Sequence, residues 1–172
     1  MQDIQERAAR IRLVIFDVDG VLTDGSLFLG DDGQEYKAFH SRDGLGMTLL
    51  QDTGVQLAVI TGRTSQVVRS RMESLGISNV YQGYQDKLPP YEELKARLSL
   101  TNEMVAYVGD DLVDLPVMRR VGLAIAVSDA HPRVRQHAHW HTRAGGGRGA
   151  AREVCELILD AQGNLERVMA QF

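Results

Sequence analysis

Apolar positions along the chain fall into two alternating kinds of run. Residues 11–16 are almost unbroken and rich in branched side chains, the pattern of a strand buried on both faces. Residues 55–60, 104–108 and 123–127 read the same way, and 79–81 as a shorter strand. Between these runs the spacing becomes helical. Leu45 and Leu49 follow Asp43, the expected cap, and Gly54 is the stop. Val68, Met72 and Leu75 precede Gly76, while Tyr91, Leu94 and Leu98 follow Pro89-Pro90. Further helices are expected from Asp111 to near Gly122, around Val134, and after Gly145-Gly146-Gly147, where Val154, Leu157 and Ile158 share a face; Trp140 marks a short strand. Residues 26–30 and 35–39 flank Asp31-Asp32-Gly33-Gln34, the pattern of a β-hairpin. The expected fold is therefore α/β, a doubly wound (Rossmann-like) parallel sheet with helices on both faces. A hairpin flap (about 24–40) follows the first strand, and a helix and tail (about 149–172) close a single domain spanning 1–172.

Composition narrows the function classes. At 172 residues and 44% hydrophobic the chain fits one domain with a proper core. A net charge of −4 argues against nucleic acid as a partner. The single cysteine, Cys155, excludes internal disulfides and a cysteine-rich metal site and fits a reducing compartment. Residues 1–10 are polar with no apolar signal core, and no apolar run approaches membrane-spanning length. A soluble cytoplasmic protein is expected.

The chemistry gathers at the strand ends, where open α/β sheets bind ligands. Strand one runs into Asp17-Val18-Asp19-Gly20, strand two into Thr61-Gly62-Arg63, and strand three into Gly109-Asp110-Asp111, with Asp114 a turn further on; Lys87 stands before the proline-started helix. Each has an ordinary alternative: Thr61 and Asp111 as helix caps, Lys87 as a surface lysine, Asp114 as a solvated helix residue or a support for a metal site. Their joint occurrence at strand ends points to a phosphate monoester. Carboxylates without His or Cys suit magnesium, which would relieve the repulsion between Asp17 and Asp110. Asp17 can attack phosphorus to give an aspartyl-phosphate. Asp19 would protonate the departing alkoxide and later take a proton from water. Thr61 and Lys87 would hold the phosphoryl oxygens.

These motifs, in this order, resemble the four motifs of the haloacid dehalogenase superfamily. The resemblance implies that Asp17 is the nucleophile and Asp19 the acid/base, and that Mg2+ is bound by Asp17, Asp110 and the main-chain carbonyl of Asp19, with Asp111 assisting. The interval from Asp17 to Thr61 holds only the hairpin and one helix, and that from Thr61 to Lys87 is shorter still, so there is no room for a cap domain. The hairpin carries Leu27, Phe28, Leu29, Tyr36 and Phe39, which suggests self-association through the hairpins; the alternative is that the ribbon packs on its own sheet. A receiver-like phospho-switch module also combines acids, a threonine and a lysine. It places adjacent acids first and its acceptor aspartate in the middle, whereas here the spaced pair comes first and the further acids last.

A closer match runs from about residue 10 to 163. Val21-Leu22-Thr23-Asp24-Gly25, Ser41-Arg42-Asp43-Gly44, Ser128-Asp129-Ala130-His131-Pro132 and residues 146–153 are similar to the 3-deoxy-D-manno-octulosonate 8-phosphate phosphatase family. That family is capless, magnesium-dependent and homotetrameric, and acts on the route to the lipopolysaccharide inner core. The resemblance implies that hairpins of four subunits assemble and that the C-terminal segment reaches a neighbouring site. Relatives acting on nonulosonate 9-phosphates, or on small phosphate esters broadly, are the alternatives. Because this substrate adds a carboxylate to its phosphate, Arg63, Arg42 and Arg148 are the candidate specificity residues, with Arg63 facing the sugar acid and Arg148 in a lid. His137, His139 and His141 alternate like a strand face, but without a second cluster they are not read as a metal site.

Overall fold

The computed structural model describes residues 2–172. Its centre is β1 (Leu13–Phe16), four residues with no exposed surface. Parallel strands flank β1 on both sides, which is why its sequence is apolar on both faces rather than alternating. Two turns of helix, α1 (Gln2–Ala9), precede it. Beyond it lie a two-stranded ribbon, β2 (Phe28–Leu29) and β3 (Glu35–Tyr36), and then α2 (Ser41–Gln51), β4 (Gln56–Thr61), α3 (Gln66–Ser74) and β5 (Asn79–Gln82). The second half comprises α4 (Leu88–Arg97), β6 (Val105–Gly109), α5 (Leu115–Met118), β7 (Leu123–Ala126), α6 (Pro132–His137), β8 (Trp140–His141), α7 (Ala150–Ala161) and α8 (Leu165–Met169). The main sheet is all parallel, in the order β5-β4-β1-β6-β7-β8. The first half of the chain winds outward from β1 in one direction and the second half in the other. The switch point, where a crevice opens, therefore lies at the carboxyl ends of β1 and β6.

Helices cover both faces as expected: α1, α2 and α7 pack together on one, and α4, α5 and α6 on the other. The strongly amphipathic α7 buries Ala150, Ala151, Val154, Cys155, Ile158 and Leu159; burial pushes the Cys155 thiol well above its ordinary pKa, so it is an inert core residue. Among the described residues, no helix is long and apolar enough to cross a membrane.

Several local expectations are corrected. Asp43 does not cap α2: His40 does, accepting from the amide of Arg42. Asp43 lies buried in the first turn and accepts the amide of Arg152 at 2.9 Å, so it caps the start of α7 across the interior. Leu45 is exposed rather than core-facing. Met104 ends a 3₁₀ turn before β6 instead of opening the strand. The segment after Asp111 is a 3₁₀ turn followed by the single turn of α5. Helices α1 and α8 were not expected, because each is short and buries a single side chain, Ala8 or Val168. The ribbon pairs over two residues per strand, Phe28 with Tyr36 and Leu29 with Glu35. It does not pack on its own sheet: Leu27, Phe28, Leu29 and Tyr36 are 46–67% exposed, and only Phe39 reaches the core.

Candidate active site

Asp17 is the first residue after β1, and its amide donates to Val108 O of β6 at 3.0 Å, so the neighbouring strand fixes its position. Its carboxylate is buried. Lys87, just ahead of α4, is among the largest fully buried side chains. Its ammonium donates to Asp17 Oδ1 and to Asp114 Oδ1, both at 2.7 Å. The surface-lysine alternative is thereby excluded. Burial opposes the Lys87 charge, but Asp114 and Asp17 together outweigh it and hold its pKa above the ordinary lysine value.

Asp114 is fully engaged. Its Oδ1 also accepts the Tyr107 hydroxyl at 2.7 Å, and its Oδ2 accepts the amides of Asp110 and Asp111 at 2.9 and 3.1 Å. It therefore orients Lys87 and the Asp110 loop from behind. Asp110 completes the cluster: carboxylate oxygens of Asp17, Asp110 and Asp114 lie within 4.8 Å of one another. Among the described residues, buried Asp110 Oδ1 has no hydrogen-bond partner. Three carboxylates, those of buried Asp17 and Asp114 and of half-buried Asp110, thus share one ammonium. Burial first, then Asp17 and Asp114, push Asp110 up to about 8; burial and Asp114 push Asp17 up to about 6 against the pull of Lys87. An all-oxygen donor set with surplus negative charge and an orphaned buried oxygen fits a hard divalent cation such as magnesium. Asp111 is not brought into this cluster. It is exposed, and its carboxylate accepts the amide of Leu112 at 2.7 Å, because capping the following turn is a nearer use for it.

The loop after Asp17 is shaped by backbone. Gly20 has φ +95°, and a Cβ there would lie 2.1 Å from Asp110 Oδ2. The glycine lets the chain reverse directly against the acid cluster. Gly146 closes over the same loop: a Cβ there would lie 1.9 Å from Gly20 O, and its amide is held by Asp129. Thr61 ends β4 and is buried.

Asp19 points toward the ribbon, where its carboxylate pairs with Lys37. Lys37 and its second partner, Glu35, were not singled out from the sequence, although a ribbon with Glu35 and Lys37 on one face and exposed Tyr36 on the other carries that signal. The three candidate arginines are spread over the surface. Arg63 is half-exposed and pairs with Glu35 at 2.9 Å; Arg148 is exposed and pairs with Asp24 at 3.1 Å. Arg42 is exposed on the first turn of α2. The histidines are structural: His139 accepts the amide of Ala124, and His137 and His141 donate to the carbonyls of Arg133 and Arg135.

A capless doubly wound sheet with a buried acid–lysine cluster at its switch point defines a haloacid dehalogenase-like hydrolase, and residues 79–152 match the model of that description. The chain is 53% identical to a 3-deoxy-D-manno-octulosonate 8-phosphate phosphatase of Yersinia pestis over 95% of its own length and 88% of the relative's. It is 48% identical to the phosphatase of that name in Escherichia coli K12, over 98% and 90%. A solved phosphatase of the same name from Moraxella catarrhalis, in complex with magnesium, phosphate and KDO, is 43% identical and covers 100% of this chain and 99% of that one at a TM-score of 0.98. The chain belongs to the 3-deoxy-D-manno-octulosonate 8-phosphate phosphatase family.

Proposed function

We propose that this protein hydrolyses 3-deoxy-D-manno-octulosonate 8-phosphate to the free sugar acid and phosphate, the reaction that supplies the sugar acid for lipopolysaccharide inner-core assembly. The observation that carries the reading is near-full-length identity to phosphatases named for that ester, on a chain whose acid cluster suits phosphoryl transfer. Asp17 and Asp110 would hold magnesium together with the main-chain carbonyl of Asp19; Asp111 would assist only by leaving its cap. The bound ion neutralises charge on the cluster and on the phosphoryl oxygens.

The protein's own groups do the rest. An Asp17 carboxylate oxygen attacks phosphorus, the bond from phosphorus to the sugar oxygen breaks, and Asp19 gives its proton to that oxygen. Water then attacks the aspartyl-phosphate, Asp19 takes its proton, and phosphate leaves with Asp17 regenerated. Thr61 and Lys87 hold the phosphoryl oxygens as charge develops on them. Asp114 has no free oxygen to offer substrate and serves to aim Lys87. Arg148 pairs with Asp24 near the surface; such a pair is worth at most about 1 kcal/mol, so a substrate carboxylate can replace that acid. Arg63 holds Glu35 through Nη2 alone, which leaves its other N–H groups for the substrate carboxylate, and exposed Arg42 can take the same role. The projecting apolar ribbon supports a homotetramer assembled through the flaps, and a single buried thiol is in keeping with a cytoplasmic site.

The test is phosphate release from the octulosonate ester, a nonulosonate 9-phosphate and a hexose phosphate, each with magnesium, with chelator and with Asp17→Asn. Preference for the octulosonate, abolished by chelator and by the variant, is the expected result. Equal turnover of all three would remove the substrate assignment, and metal-independent release would remove the chemistry.

A further inference from the structure

The flap does more than project from the sheet. Lys37, immediately after β3, is buried to 1% side-chain exposure, although it sits beside a ribbon whose apolar side chains face solvent. A buried ammonium is costly unless paired, and this one has two carboxylates: Asp19 of the site loop and, at 3.3 Å, Glu35 of its own ribbon. Glu35 is held in turn by Arg63, which follows β4. A continuous chain of ion pairs therefore runs from the sheet through the flap to Asp19. Lys37 engages Oδ1 of Asp19, which leaves Oδ2 for the reacting ester. No other charged side chain pairs with Asp19 among the described residues.

We propose that Lys37 is a positioning residue for Asp19: the Arg63–Glu35–Lys37 chain holds that carboxylate where it serves the leaving oxygen, so that flap geometry governs the proton-transfer step. The proposal rests on the phosphatase reading given above. It separates two properties that a merely structural lysine would change together. Cleavage of a sugar phosphate expels an alkoxide and needs the proton, whereas cleavage of a nitrophenyl phosphate expels a stable phenoxide and does not.

The experiment compares kcat/KM, which ends at expulsion of the leaving group and so excludes the later water step in which Asp19 is the base, for 3-deoxy-D-manno-octulosonate 8-phosphate and for p-nitrophenyl phosphate in magnesium-loaded wild type, Lys37→Met, Glu35→Gln and Asp19→Asn. Methionine keeps the buried stem and removes the charge. General acid catalysis is worth about 100-fold or more. Lys37→Met is therefore expected to lose roughly that factor on the sugar ester and less than about threefold on the aryl ester. Glu35→Gln should show the same selectivity with a smaller loss. The double variant Lys37→Met/Asp19→Asn should be no slower than Asp19→Asn alone, since both act on one step. Equal losses on the two esters, or additive losses in the double variant, would overturn the proposal. Wild type that cleaves neither ester would instead overturn the phosphatase reading on which it stands.

Discussion

Replacing Lys87 by methionine removes the one positive charge from a cluster of three carboxylates. Both ion pairs are 2.7 Å long, and neither Lys87 nor its partners expose more than 8% of their side chains. Removing one partner of a buried pair costs about 3–5 kcal/mol, because the other charge is left without compensation. The loss depends on pH, with a definite sign. Asp17 already titrates at about 6 with Lys87 beside it, and without Lys87 its pKa rises further. Near pH 5 the variant holds Asp17 protonated and avoids most of the penalty; near pH 8 it does not. Asp114 keeps the Tyr107 hydroxyl and two amides throughout. Urea unfolding of metal-free protein measures this directly. For a denaturant dependence on the order of 2 kcal/mol/M, the midpoint should fall by about 2 M at pH 8 and much less at pH 5. A shift below about 0.5 M at pH 8, or equal shifts at both pH values, would refute the assignment of Lys87 as the counter-charge of the cluster.

Other outcomes follow from the same cluster and its surroundings. In metal-free wild type, the folded state keeps protons on Asp110 and Asp17 that the unfolded chain loses near 3.8, so stability should fall as pH rises from about 4 to 8. Saturating magnesium should abolish that fall in thermal melts; a flat metal-free profile would contradict the raised values. Gly20→Ala adds about 1–2 kcal/mol of backbone strain and a methyl group against Asp110. Magnesium titration of activity should therefore require at least about 10-fold more metal, while circular dichroism shows a folded protein. On the proposed flap-mediated tetramer, Phe28→Ser with Leu29→Ser should lower the sedimentation coefficient; an unchanged coefficient would remove the flap from that proposed interface.

The part of the cluster legible in the sequence was the pair of acids at strand ends. Asp17 and Asp110 follow β-runs whose apolar pattern leaves one arrangement open to them, a parallel sheet with its acids at one edge. The burial of Lys87 was not legible, because its partners lie 70 and 27 positions away and only the β1–β6 switch point brings them together. Asp43 was misjudged: it reaches across the interior to cap α7. Asp111 takes the amide next to it, the capping alternative its position before a turn already offered. Lys37 escaped notice because a polar residue in a hairpin usually faces water, and its burial depends on Asp19 being opposite.

The attack of Asp17 on phosphorus is tested most directly by stereochemistry at that atom. The substrate would be a thiophosphate analogue of 3-deoxy-D-manno-octulosonate 8-phosphate made chiral with one heavy oxygen isotope and hydrolysed in water carrying another. Two in-line displacements, the first by Asp17 and the second by water, predict retention of configuration in the released thiophosphate. Inversion would mean that water attacks the ester in one step, and Asp17 would then be no more than a metal ligand.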